Sequence, residues 1–385
     1  MILRASTIRR FTSRWAATSE ATGVLVLVVF LSSVNAAFSQ SLFLGDGYIL
    51  GNRAAAMSAY VADPDFAHSV LLNPAKLGYA SNIYIAGDYE YFSRGKGELY
   101  LPDSPTGFLS NGGLSSVNAS MALPVGPVGM GAAFEAFSMA GWRTTVTAVG
   151  IAGEIPLGFS LGITGKYATL MKQVAIPGGT WQYRLKKFTF DLGAMNRTTL
   201  ADNTFFRAIF STGIVFTNVL ARTTWGGGHP LTPGMTVDVN LPQTFGCGIA
   251  YTFASNYRLA DYELFRLTGA IDYSHLFSNS SPVDNFSWQR DQYRIGLETM
   301  ALGVLAVRIG YTLKTPVTAG TDTQNNLSIS RLGTGFSYGF SLRFPVKLVL
   351  PALPVTSLEI SYAKNPEWNS GMYHDLFGAV LEMLF

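Results

Sequence analysis

The residues best suited to chemistry in this chain are four histidines, one cysteine and an adjacent Ser-His pair, and their spacing argues against catalysis. His68, His229, His275 and His374 are scattered one to a region, and no His-Glu-x-x-His run or Walker-type phosphate loop accompanies them. Ser274 and His275 suggest a nucleophile and its base, but on a strand sequence neighbours point to opposite faces and cannot meet. His275 follows Tyr273 and precedes a long connection, which suits an interfacial aromatic girdle better. The lone Cys247 excludes an intramolecular disulfide and a cysteine-based zinc site; between Phe245 and Ile249 it reads as a small wall residue. The glycines of Gly126–Gly131 precede no helix, so they form no phosphate cradle. The expectation is a non-enzyme with no catalytic residue, cofactor or metal.

The charges are more orderly. Glu90, Glu135, Arg143, Lys166, Asp191, Arg266, Asp272, Arg294, Glu298, Arg308, Arg343 and Glu382 are read as falling on one parity of alternating segments, opposite the larger apolar residues. Both signs occur, which favours internal ion pairing over a field selective for one ion. Whether some of them line a substrate path is left open.

The elements that would position these charges are β-strands. Ile83, Ile85, Tyr89 and Tyr91 share one parity while Asp88 and Glu90 share the other; Phe336, Tyr338, Phe340, Leu342 and Phe344 oppose Gly335, Ser337, Gly339, Ser341 and Arg343. Period-two alternation marks a strand with two unlike faces. Some fourteen such segments begin near residues 82, 114, 127, 142, 158, 182, 206, 242, 262, 288, 303, 328, 355 and 373. Short links such as 124–127 and 301–303 alternate with long ones such as 93–113 and 220–241, the arrangement of periplasmic turns and external loops. The last strand, from Tyr373, ends on Phe385 and resembles the C-terminal signal strand read by the barrel-assembly machinery of outer membranes. The expected fold is all-β: a transmembrane antiparallel β-barrel of about fourteen strands over 82–385. A soluble β-protein would carry an outward face rich in Lys, Glu and Asp, and this chain is only 13% charged.

No run of about 20 apolar residues follows residue 40, so helical spanning is not expected and a closed barrel is the remaining way to satisfy backbone groups in lipid. Before that point, Arg4, Arg9, Arg10 and Arg14 precede the apolar core Val24–Leu31 and then small residues. This reads as a secretory signal peptide over 1–39, cleaved near 36–39. Its removal leaves 23 basic and 23 acidic residues from the original 27 and 24, so no electrostatic case for nucleic acid remains. The expected location is the outer membrane of a Gram-negative-type bacterium, with outer-membrane lipid as partner.

Residues 40–81 do not alternate and cannot be wall strands. They contain Arg53-Ala54-Ala55-Ala56-Met57, then Val61-Ala62-Asp63, then Asn73-Pro74-Ala75-Lys76-Leu77. Asn73 can bond nearby backbone and Pro74 fixes φ, a turn that launches the first strand. This order resembles the opening of the PorV/PorQ family of outer-membrane β-barrels, within the superfamily of the FadL long-chain fatty-acid transporter, although Ser58 stands where that family's pattern has glycine. The resemblance implies an N-terminal hatch folded into the lumen, with Met57, Asp63, Asn73, Pro74 and Ala75 as its motif and Asp65 and His68 near the interior. It also implies a non-enzymatic role in type IX-type protein secretion or surface attachment, binding secreted cargo or secretion-machine proteins at the outer rim. The loop 220–241, with Trp225 and His229, is then a candidate partner surface. The broader superfamily implies an alternative, a channel for hydrophobic small molecules.

Overall fold

The computed structural model of this chain describes residues 52–63, 66–92, 115–139, 142–176, 179–219, 243–259, 262–277, 291–315, 335–350, 352–366 and 373–384. The expected signal peptide, residues 40–51 of the hatch, Asp65, Phe385, and the loop with Trp225 and His229 lie outside the described residues.

Fourteen strands close into one antiparallel barrel. In chain order they are β1 (Ile83–Phe92), β2 (Ser115–Val125), β3 (Val128–Met139), β4 (Trp142–Ile155), β5 (Phe159–Ile176), β6 (Gly179–Asp202) and β7 (Phe206–Val219). There follow β8 (Gln243–Ser255), β9 (Phe265–Phe277), β10 (Asp291–Ala301), β11 (Leu305–Thr315), β12 (Gly335–Phe344), β13 (Val355–Pro366) and β14 (Tyr373–Met383). Each strand pairs with its neighbours in sequence, and β14 closes on β1 from Ile83↔Met383 to Phe92↔His374. Every expected strand start falls within three residues of the observed one except that of β12, expected near 328, whose described part begins at Gly335. No helix among the described residues is long and apolar enough to cross a membrane.

The alternation resolves into two surfaces. Outside, Val149, Ile151, Ile249, Ile271, Ile295 and Phe340 are exposed, as a wall that meets hydrocarbon requires. Inside, the same strands present Ala, Gly, Ser, Thr and charged residues, nearly all buried. What buries them is the segment 52–81. It consists of α1 (Asn52–Met57), α2 (Ser69–Leu72) and a 3-10 turn (Pro74–Tyr79), lodged across the lumen and leading directly into β1. Leu77 and Val70 pack on Ala122, Ala133, Val146 and Ala148 of β2–β4; Ala54–Ala56 pack on Ala363 and Leu376 of β13 and β14.

Among the described residues, four other than glycine adopt positive φ: Ser58 (59°), Leu157 (71°), Asn218 (54°) and Leu302 (54°). Ser58 stands in the left-handed region that glycine occupies most freely. The serine occupies it with its hydroxyl bonded to that of Ser337 at 2.6 Å. Leu157 and Leu302 stand in the turns β4–β5 and β10–β11, at the end of the barrel that carries the short connections.

Candidate functional site: the hatch and its seat

A segment with so little regular structure must have its backbone groups satisfied by something else. The wall does this. Asp272 of β9 accepts the backbone N–H groups of Tyr60 (2.5 Å) and Val61 (2.8 Å). Ser160 donates to the Ala75 carbonyl at 2.7 Å, Thr164 to that of Val70 at 3.0 Å, and Ser337 to that of Ala56 at 2.9 Å. Ser160 and Ser337 each lie in a Gly-x-Ser-x-Gly run, 158–162 and 335–339. That pattern serves nucleophilic catalysis at a strand-to-helix elbow. Here both serines lie within strands and spend their hydroxyl protons on hatch carbonyls.

Within the hatch, Asn73 caps the 3-10 turn by accepting from the Ala75 N–H at 3.2 Å and donates to the Val61 carbonyl at 2.9 Å. Pro74 and Ala75 follow it in the first turn. Tyr79 ends the segment by donating to the carbonyls of Gly158 (2.6 Å) and Met195 (3.0 Å). Burial, with Glu154 nearby, pushes its hydroxyl up to about 12, so it stays a donor across the working pH range. Tyr79→Phe should therefore cost about 1 kcal/mol in denaturant-unfolding experiments, with no pH dependence between 6 and 9.

Close approach is made possible by glycine. Ten strands (β3–β8, β10–β12 and β14) each turn at least one glycine toward the hatch. A Cβ at Gly162 would stand 2.5 Å from the Pro74 carbonyl carbon and 2.6 Å from the Ala75 nitrogen; one at Gly213 would stand 2.7 Å from the Val61 oxygen. Such distances are closer than packed atoms tolerate, so the backbone of the hatch rests directly on the backbone of the wall.

Charge locks the assembly on one side. Arg53 of α1 is bidentate on Glu298 of β10 (Nε–Oε2 2.7 Å, NH2–Oε1 3.0 Å) and also reaches Asp63 at 2.9 Å. Glu298, fully buried, further accepts from Arg308 (2.6 Å) and Arg266 (3.2 Å). Arg308 continues to Glu359 at 2.9 Å, and Glu359 to Arg343 at 3.3 Å. Elsewhere His68 and Asn52 meet Asp88 at 2.5 and 2.9 Å, and Lys166 meets Asp191 at 2.7 Å. Arg294 donates to Ser274 and Gln292 and lies over the Tyr60 ring. Glu90 accepts from Ser116, Glu382 from Asn82 and Ser357, and Glu135 is buried on the same inner surface.

Of the charges read as inward, Arg143 is the exception. It is exposed and shares the outer parity of Val149 and Ile151. The run Arg143-Thr144-Thr145-Val146-Thr147-Ala148 carries threonine on both parities and a valine inward, so its pattern does not distinguish the faces. Glu359 and Asp88 belong to the inner network as well; Glu359 shares the parity of buried Ser357 and Ser361 and could have been found by the same rule. Ser274 and His275 point to opposite sides: Ser274 to Arg294, and His275 to Asp291 at 2.9 Å, where Tyr273 also donates at 2.6 Å.

A second feature lies on the outer face. Around outward-facing Gly269, residues of β8–β12 leave an open depression of about 500 Å3, lined among others by Ile249, Tyr251, Ile271, Ile295, Leu297 and Ile309. A Cβ on Gly269 would meet nothing nearer than Leu297 Cδ1 at 4.0 Å. Behind the same wall, Ala250 and Ala270 pack on Met57, Ala59 and Ala62 of the hatch, beside the buried Asp272 and Glu298 of the same inner face. No group of His, Cys, Asp and Glu suited to a metal ion occurs among the described residues.

These features define a closed fourteen-stranded membrane-type β-barrel with a hatch fixed inside it. No protein-family model and no curated protein matches the chain. Solved structures similar to it in fold include the toluene transporter TodX of P. putida, at 11% identity and a TM-score of 0.48, covering 88% of this chain and 99% of that one. Two others are the CymD monoaromatic hydrocarbon channel (11%, 0.47, 90% and 99%) and a FadL homologue of Pseudomonas aeruginosa (10%, 0.45, 88% and 100%).

Proposed function

We propose that this chain is an outer-membrane barrel that passes hydrophobic small molecules, with the hatch closing the lumen to bulk water. The observation that supports this reading is the apolar depression around Gly269. It lies where the wall is lined by small residues inside and backed by the apolar hatch cluster of Met57, Ala59 and Ala62. A molecule dissolved in the membrane would find there a concave, nearly uncharged surface of small-ligand size. The test is uptake of radiolabelled toluene and oleate by cells expressing the chain, compared with empty-vector cells. The wild type should take up at least one probe several-fold faster, and Gly269→Trp, which fills the depression, should return uptake to the vector level with unchanged barrel abundance. Equal uptake by wild-type and vector cells for both probes would sink the reading.

A second reading, a platform for type IX-type secretion or surface attachment, is favoured by the hatch being fixed on many sides, as suits a scaffold. It is tested by a tagged pull-down from native outer membranes. Stoichiometric recovery of secreted proteins sharing a C-terminal domain, or of large translocon subunits, would support it; recovery of the barrel alone would count against it.

A further inference from the structure

Three turns at the short-turn end of the barrel expose apolar side chains. The turn β12–β13 spans residues 345–354 and includes α3 (Val346–Val349); Leu348, Val349, Leu350 and Leu353 are all exposed, Val349 at 77%. Leu157 and Leu302 tip two other turns at 86% and 64% exposure, both in the left-handed region that glycine occupies freely and leucine does not. Water gives no reason to hold a leucine there.

The outer wall supplies one. Ile155 and Phe159, exposed on the lipid-facing parity, flank Leu157; Leu342 and Phe344, also exposed, run straight into the β12–β13 turn. The described outward apolar run of β12, Phe336 to Phe344, covers eight residue steps. The apolar run does not stop at Phe344: Leu348, Val349, Leu350 and Leu353 continue it as exposed side chains of the turn. The single charge in residues 345–354 is Lys347, a cation on a long apolar stem, which suits the phosphates at the edge of the hydrocarbon layer.

We propose that the β12–β13 turn, with Leu157 and Leu302, is a membrane-embedded anchor that seats the short-turn end of the barrel in the acyl-headgroup boundary of the inner, periplasmic leaflet. Its occupant is phospholipid. The turn continues the lipid-facing surface and carries no acidic residue that would be drawn into the membrane with it.

The experiment uses the full-length barrel carrying Cys247→Ser, reconstituted in vesicles of phosphatidylethanolamine and phosphatidylglycerol. Nitroxide labels are placed singly at Val349→Cys, Leu157→Cys and, as a control, the polar turn residue Asn203→Cys. Collision with dissolved oxygen, which concentrates in hydrocarbon, is compared with collision with a water-soluble nickel chelate. Labels at 349 and 157 should favour oxygen over the chelate by at least threefold relative to the label at 203. Chelate collisions at 349 and 157 equal to those at 203 would place both turns in water and overturn the anchor, leaving a periplasmic protein as the partner to seek. All three positions are exposed and at turns; only the 203 label removes a side-chain contact, the Asn203 oxygen that accepts from the N–H groups of Phe205 and Phe206, and that loss is confined to its own turn. The 157 label tests the idea separately from the 349 label.

Discussion

Glu298→Ala should release the hatch. Glu298 is the fully buried hub between Arg53 of the hatch and Arg266 and Arg308 of the wall, and Arg308 in turn shares Glu359 with Arg343. Deleting the carboxylate leaves three guanidinium groups facing one another, with Asp63 beside Arg53 and Glu359 beside Arg308. Removing one partner of a buried ion pair costs about 3–5 kcal/mol because the other charge is left stranded. Spent on the contact between hatch and wall, that loss raises the open population by about 100-fold or more. In planar bilayers the wild type should be nearly silent, and Glu298→Ala should show frequent openings. Glu298→Gln keeps the shape and one accepting oxygen, so it should lie between the two. Silence from all three proteins would show that the network stabilises the wall alone.

A pair of glycine substitutions should give the next largest effect. Gly162→Val drives a branched side chain into the backbone of Pro74 and Ala75, where neither side can yield without moving the hatch. Overpacking a well-filled interior costs about 1–3 kcal/mol, and more where the obstacle is backbone. The expected result is a displaced hatch, seen as protease cleavage within 52–81 and as bilayer conductance, while the barrel still closes. Gly269→Val is the matched control. It adds the same side chain to the outer face, where the nearest atom is 4.0 Å away, and should leave cleavage, conductance and thermal unfolding within about 0.5 kcal/mol of wild type. Equal effects of the two substitutions would refute the idea that inward glycines are the seat of the hatch.

How legible was this in the sequence? The wall was, because a two-faced strand must alternate and a one-residue slip would expose its whole inner set. The strand order followed from the alternation of short and long links. The inner charges were legible where a strand had contrast, as in β10 with Tyr293, Ile295 and Leu297 opposing Arg294 and Glu298. Contrast failed in β4, where threonine sits on both faces, and Arg143 was placed on the wrong side. The hatch was recognised as something other than wall, and its landing place was not. Gly339 was visible on the parity opposite the aromatics, but a glycine looks the same whether it faces an empty lumen or, as here, Ala56 of the hatch, whose Cβ a Cβ at 339 would meet at 2.7 Å. Contacts such as Arg53 with Glu298 join residues 245 positions apart, and no local pattern announces them.

That separation bears on how the barrel comes to exist. The hatch is made before the barrel, yet the walls that hold Arg53 and the Ala54–Ala56 run belong to β10, β12, β13 and β14, among the last to be synthesised. Its place must therefore be kept until the sheet has curled around it, and β14 can meet β1 only once the segment is enclosed. The hatch then acts as a mandrel, a form on which the cylinder is wound and which stays inside the finished article. Pairings over such long chain separations make for slow folding, and the step that sets the pace should be closure around the hatch, so that a chain lacking residues 52–81 is delayed in assembly before any question of transport arises.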